Sequence, residues 1–289
     1  RRGIEHAVAI RVHVQAQRAV EGIVPDRRRR IREQLRLVAE EFRRHEGPSL
    51  ANRCRVDGMQ VAVVGRDEDD GVAGIEIDMP VPVGFWRSVG YSYNGFFHEC
   101  FMDEIAERAD RDPFDLRLQL MSDYPLAVAV MERLRDISNW DRPLRTGKAK
   151  GVAFTMSFGS WVGEVVQVAE TSDGVAVEKV WAVAEVGRAL DPGIVRAQIE
   201  SGIVFGLSAA IGEEITFSRG KVDQQNFYDF DAMRIDRCPK IEIEILENSE
   251  TLGGVGEIGT PPAAPALANA VRALTGKRIR KLPLSGEVE

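Results

Sequence analysis

A single acid inside a glycine loop is the side chain in this sequence best placed to move a proton. The loop reads Gly253-Gly254-Val255-Gly256-Glu257-Ile258-Gly259-Thr260-Pro261-Pro262. Its glycines let the backbone bend closely around a bound group. Thr260 reads as a helix N-cap and Pro261 as the first helical position. Ala263, Leu267, Val271 and Leu274 then recur at helical spacing. Glu257 stands about one turn before that positive helix end, where the field favours the ionised carboxylate a general base requires. Taken alone, the segment reads more readily as a structural loop with an exposed acid.

Two further segments follow a similar plan. Gly84-Phe85-Trp86-Arg87-Ser88-Val89-Gly90 is a glycine-bounded loop leading into a helix that carries Phe97, Phe101, Ile105 and Ala109. Asp191-Pro192 begins a helix that carries Gln198, Glu200, Gly202, Gly206 and Ala210. The last three fall at i, i+4 and i+8, so one face is nearly bare of side chains. Such a face suits close approach by another backbone or by a planar cofactor; tight packing of the helix on a sheet is the plainer use. Interior glycines cost roughly 1 kcal/mol each relative to alanine, so the stripe needs an explanation.

Together these segments resemble the molybdenum-binding large subunit of the xanthine dehydrogenase/aldehyde oxidase family, in particular its isoquinoline 1-oxidoreductase and membrane-linked aldehyde dehydrogenase branch. Four ordered blocks carry the resemblance: PVPVGFWRSVGYSYNGFFHECFMDEIAERADRDPFDLRLQLM from Pro80, SFGSWVGEVVQVAE from Ser157, VGRALDPGIVRAQIESGIVFGLSAAIGEEI from Val186, and GGVGEIGTPPAAPALANAVRALTGKRIRKLPL from Gly253. The resemblance implies an α+β fold, the C-terminal part of a molybdopterin-binding domain with mixed sheets and packed helices. It implies oxidation of an aldehyde or N-heteroaromatic carbon, with water-derived oxygen and hydride transfer to a molybdenum–sulfido centre. Glu257 is then the general base. Arg87 stabilises charge developing on substrate oxygen, unless it is only a surface ion pair. Phe85 and Trp86 pack on the cofactor or wall the pocket. Gln198, whose amide both donates and accepts, contacts the pterin. Ser157, Phe158, Gly159 and Ser160 match a cofactor-side loop, and Gly254, Gly256 and Gly259 a cofactor-contacting one. The metal is held through the pterin dithiolene rather than by protein ligands. The pterin is expected in a dinucleotide form, with cytosine as its base, and [2Fe–2S] clusters belong on a partner subunit.

Large subunits of that family are much longer and carry upstream glycine–glutamine loops that hold the cofactor from the other side; no GQG occurs here. The expectation is therefore a chain working with a second polypeptide that supplies the upstream half. The alternatives are a non-catalytic assembly subunit or an inactive truncated remnant.

Composition agrees with a folded chain. Apolar residues make up 44%, well above what a disordered chain carries. A net charge of −7 without an aromatic-interleaved basic patch argues against nucleic-acid binding. Cys54, Cys100 and Cys238 are far apart and form no CxxC, so they neither build an iron–sulfur cluster nor suggest a disulfide framework. The helical position of Cys100 reads as core, and His98 as a surface or packed histidine. No run of about 18 apolar residues suggests a membrane span. Arg1-Arg2 is not followed by an apolar h-region, so it does not read as a twin-arginine export signal, and location stays open.

Residues 1–79 match the family poorly and form a separate segment ahead of the molybdopterin-binding part at 80–289. Residues 8–14 alternate like a strand, and Asp26 to His45 reads as a basic amphipathic helix. Residues 1–48 carry a net +5, leaving −12 on the rest, which suits either docking to an acidic partner or an ordinary solvated helix. Residues 66–71 read as a charged turn near the boundary. Strands are expected at 175–180, after the Ser172-Asp173-Gly174 turn, and across Ile241, Ile243 and Ile245. Asp229, Asp231 and Asp236 lack the glycine and terminal glutamate of a calcium loop.

Overall fold

The computed structural model describes residues 84–172 and 174–284. The expected N-terminal strand, basic helix and charged turn, together with Cys54, lie outside the described residues. Those described fall into two units, one holding residues 84–86 and 104–123, the other residues 87–103 and 124–284.

Helix α1 (Gly90–Arg108) runs through both units. In the smaller unit, α2 (Pro113–Leu120) begins where the Asp112 carboxylate accepts hydrogen bonds from the Phe114 and Asp115 N–H groups, at 2.8 and 3.1 Å. That N-cap precedes a proline at the first helical position, a pairing that satisfies donors the helix cannot use itself.

The larger unit is built on a mixed sheet. Strands β1 (Lys148–Ser157), β2 (Ser160–Thr171) and β3 (Gly174–Glu185) form an antiparallel meander. A bulge at Gln167/Val168 shifts the β2–β3 register. Helix α3 (Pro125–Ser138), which precedes the meander, covers one sheet face, where Leu134, Met131 and Val130 crowd Gly163. After β3 come α4 (Pro192–Ile211) and a small hairpin, β4 (Phe217–Ser218) and β5 (Lys221–Val222). The chain then returns as β6 (Lys240–Leu246), which pairs parallel to β3 and completes the order β1-β2-β3-β6. Helix α5 (Ala263–Thr275) covers the other sheet face so closely that a Cβ on Gly151 would meet the Ala270 nitrogen at 2.1 Å. This is the expected α+β architecture, with both expected strands in place.

Two expectations about helices need correction. Helix α5 starts at Ala263, after Pro262 as cap, and not at Pro261. Thr260 does not cap it, because its hydroxyl donates instead to the Gly202 carbonyl at 3.2 Å. On α1, Ile105 is buried, as is Ala109 just past its end, but Phe97 and Phe101 are exposed. The buried side runs through Phe96 and Cys100, one residue round from the expected row.

Helix α4 is long and apolar enough to cross a bilayer by composition. Val195, Ile199, Ile203 and Leu207 nevertheless lie in the protein core. Its glycine stripe serves close backbone contact with the segment leading into α5, not with the sheet. A Cβ on Gly202 would stand 3.1 Å from Gly259, and one on Gly206 would stand 2.9 Å from the Ala263 Cβ.

A buried polar network fixes α1 against β1 and α5. The Glu99 carboxylate accepts the Phe154 N–H at 2.9 Å, and Asn269 Nδ2 donates to the Val152 carbonyl at 3.1 Å and the Glu99 carbonyl at 3.3 Å. Among the described residues strand β1 is a sheet edge, and these side chains occupy backbone groups that would otherwise invite strand pairing. His98 Nδ1 pairs with the same Glu99 at 3.0 Å.

Candidate active site

Four segments converge around Glu257, all within the larger unit. The first is the β1–β2 turn. Phe158 and Gly159 both have positive φ, 52° and 81°, the geometry of a two-residue type I′ hairpin. The Phe158 ring meets Tyr91 of α1 edge-on, at 5.0 Å between centroids.

The second is the glycine loop. Its entry is pinned by Gly253 N donating to the Val186 carbonyl at 3.0 Å and Gly254 N to the Phe158 carbonyl at 2.8 Å. Ser160 Oγ donates back to the Gly254 carbonyl at 2.8 Å. Glycine is required for this fit, since a Cβ on Gly253 would fall 2.0 Å from Ser160 Oγ. Gly259 is buried, and its Cβ would meet the Ile199 carbonyl at 2.4 Å, so α4 packing explains it. Gly256 differs: it is exposed, and its Cβ would meet nothing nearer than Gln198 Oε1 at 4.0 Å.

The third is the Arg87-Ser88-Val89 turn ahead of α1. Ser88 and Val89 have φ of 67° and 50°. A β-branched residue in the left-handed region is strained, by about 1–2 kcal/mol. The turn presents the Ser88 N–H to Glu257 Oε1 at 2.9 Å. The half-buried Glu257 therefore meets a backbone donor just upstream of α1, while the sequence placed it at the mouth of α5. Among the described residues, its other oxygen, Oε2, accepts no hydrogen bond.

The fourth is the face of α4 carrying Gln198, Ser201 and Phe205. Asp191 caps this helix as expected, accepting the Ile194 N–H at 3.0 Å. Arg87 reaches across to it. Nε and Nη2 both donate to the Gly256 carbonyl, at 3.1 and 2.6 Å; Nη2 also reaches Gln198 Oε1 at 3.1 Å, and Nη1 donates to Ser201 Oγ at 2.9 Å. The guanidinium lies 5.6 Å from the Phe205 ring centre, within cation–π range. One Nη1 hydrogen has no partner among the described residues. Arg87 is thus a brace between the turn, the glycine loop and α4.

The structure thereby brings together Arg87, Phe158, Gly159, Ser160, Gln198, Gly254, Gly256 and Glu257. Phe85 and Trp86 belong to the other unit and are exposed. Sequence reasoning missed Ser88, Tyr91, Ser201 and Phe205. The spacing of Gln198, Ser201 and Phe205 at i, i+3 and i+7 was a usable signal, because it puts all three on one helical face. Of the acids weighed for calcium, Asp231 is ion-paired with Arg237 at 2.6 Å.

Known proteins carry the same pattern. Residues 87–239 match the family described as molybdopterin cofactor-binding domain. Over 209 residues the chain is 32% identical to the isoquinoline 1-oxidoreductase beta chain of Brevundimonas diminuta, a match covering 71% of this chain and 27% of that protein. Over 222 residues it is 31% identical to the membrane-bound aldehyde dehydrogenase (pyrroloquinoline-quinone) of Gluconacetobacter polyoxogenes, covering 70% of this chain and 29% of that one. The fold superposes on quinoline 2-oxidoreductase from Pseudomonas putida 86 with a TM-score of 0.63 at 12% identity, over 74% of this chain and 53% of that one. The chain spans less than a third of the length of these two curated relatives. The sequence matches show that this chain belongs to the molybdopterin cofactor-binding domain family.

Proposed function

We propose that this chain forms the Glu257 side of a molybdenum hydroxylase active site that oxidises an aldehyde or an N-heteroaromatic carbon. The observation that carries the reading is the Ser88 N–H bond to Glu257 Oε1, which fixes the carboxylate and leaves Oε2 to receive a proton. A base must stand within reach of the proton it takes, and the backbone donor holds the carboxylate in one orientation.

The residues present fit a pterin. Gly256 offers open backbone where a side chain would otherwise project, beside the Gln198 amide, and Gly254 is likewise exposed. Gly254, Gly256 and Gln198 would hold the pterin edge, with the Phe158-Gly159-Ser160 turn beneath and Gly259 letting α4 approach. When bound, the molybdenum cofactor supplies the two-electron acceptor for oxidation with water-derived oxygen. Arg87 holds the Gly256 carbonyl, and so the backbone next to Glu257. Its spare Nη1 hydrogen would meet negative charge on substrate oxygen. The pterin would be a dinucleotide, with cytosine as its base. An upstream portion of the molybdenum domain and a [2Fe–2S] subunit would complete the enzyme.

Metal analysis by mass spectrometry on the native complex purified through this chain tests the assembly. About one molybdenum per copy, with iron and companion polypeptides, is the expected result. Glu257→Gln should then abolish most turnover while molybdenum is retained. Unchanged turnover would remove Glu257 from the chemistry and favour an assembly role; no molybdenum and no companions would favour an inactive remnant.

A further inference from the structure

One buried acid has no part in the site described above. Glu164 is fully buried on β2, and among the described residues neither carboxyl oxygen has a hydrogen-bond partner. Two more side-chain oxygens share this condition, Thr155 Oγ1 and Ser157 Oγ on β1. Strand alternation places all three on one face. Val162 and Val166, two residues either side of Glu164, belong to the core cluster together with Ala153 and α5, while the intervening Gly163 faces α3. Glu164 stands opposite Ala153, Thr155 opposite Val162, and Ser157 opposite Ser160. Glu164 and Thr155 are therefore diagonal neighbours, roughly 7–8 Å apart along the sheet surface. That spacing is too wide for a direct bond from Cβ-branched threonine and suits one bridging molecule beside a long side chain.

The cross-strand partners of Glu164 are both small, Ala153 on β1 and Ala182 on β3. Neither alanine offers the carboxyl a polar side-chain partner. Burial pushes the Glu164 carboxyl well above the ordinary carboxylate range, so it brings a donor as well as acceptors. A buried water asks for two to four polar partners; the Glu164 carboxyl and the Thr155 hydroxyl supply two, and Ser157, two residues further along β1, extends the row toward the turn. Its outer end is Ser160, whose Oγ holds the Gly254 carbonyl of the glycine loop.

We propose that this row is an internal water site, in which ordered water bridges Glu164 to Thr155 and Ser157, and that Glu164 is through it a positioning residue for the Phe158-Gly159 turn. The water site stands by itself; its effect on turnover rests on the proposed function.

The test is a crystal structure of the native complex purified through this chain, with turnover measured on variants. Ordered water within hydrogen-bond distance of the Glu164 carboxyl and of Thr155 or Ser157 is the expected result. A dry carboxyl, or one taken by a partner chain's side chain, would overturn the proposal, whether or not the complex contains molybdenum. Thr155→Val, which keeps the shape and removes the hydroxyl, should displace the water and lower turnover severalfold with molybdenum retained. Glu164→Leu should do the same, and Glu164→Gln, which still donates and accepts, should restore both. If Gln and Leu behave alike in water content and turnover, Glu164 does not position the turn.

Discussion

Two nitrogens of Arg87 converge on one carbonyl oxygen, that of Gly256, the residue before the candidate base Glu257. The same turn sends the Ser88 N–H to the Glu257 carboxylate. Backbone and side chain of the 256–257 segment are thus gripped from consecutive positions, so the acid cannot drift independently of α1.

Arg87 should be irreplaceable by lysine. An ammonium cannot reproduce a planar fork that serves Gly256, Gln198 and Ser201 at once. Arg87→Lys is expected to lower kcat more than it raises KM, and Arg87→Ala to cost about 1–3 kcal/mol of stability as well. Steady-state kinetics and denaturant melts on the purified complex read the two effects. A lysine variant with normal kcat would show that the fork is dispensable.

Glycines of the same loop should separate into two classes. Gly259→Ala places a methyl 2.4 Å from the Ile199 carbonyl, and should destabilise the fold by about 1–3 kcal/mol. Among the described residues Gly256→Ala meets nothing nearer than Gln198 Oε1 at 4.0 Å, and it should melt like the wild type. Its molybdenum content should nevertheless fall, since the methyl fills the space assigned to the pterin. Paired thermal melts and metal analysis decide it: full metal loading in Gly256→Ala would move the pterin elsewhere.

Val89 carries left-handed strain that glycine would not. Val89→Gly should raise Tm by a few degrees, the balance of about 1–2 kcal/mol of relieved strain against a more flexible unfolded chain. The looser turn should at the same time lower turnover, because the Ser88 donor is held less firmly. A lower Tm would mean that packing of the Val89 side chain outweighs the strain.

Glu164 makes stability depend on pH in a definite direction. Burial raises its pKa in the folded protein, so the folded state binds the proton more tightly than the unfolded one. The stabilisation is complete below the unfolded carboxylate range, about pH 4. It is lost progressively as pH rises from there through the raised folded value. Glu164→Gln cannot ionise and should lack this loss, so its advantage over wild type should grow with pH across that window. Urea melts of both proteins over a pH series measure it, and parallel curves would show that the carboxyl is not ionising under strain.

Much of this was visible in the amino-acid order, because local rules carried it. Asp191-Pro192 announces a helix and supplies its cap, and Ile241, Ile243 and Ile245 alternate as a half-buried strand must. The bare stripe on α4 signalled a close approach, but its partner, Gly259, lies far along the chain, and no periodicity names it. Thr260 has the chemistry of an N-cap; a carbonyl from α4 within reach won its hydroxyl instead. Positive φ at Ser88 and Val89 was illegible, since neither residue type advertises it. Glu164 was hidden by its neighbours, sitting in an apolar run where one acid looks like the polar half of an alternating strand.

The brace at Arg87 also sets an order of events. Its partners Gly256, Ser201 and Gln198 lie 169, 114 and 111 residues away along the chain. Contacts of such separation are late to form in folding, because the entropy of closing the loops is lost before the contacts reward it. During synthesis the N-terminal portions emerge first, so the turn at Arg87 must wait for the glycine loop. The proposed cofactor seat beside Gly256 consequently comes into being with the last contacts of the fold. Loading of a cofactor is then a check on completed folding, with α4 and α5 already crossed.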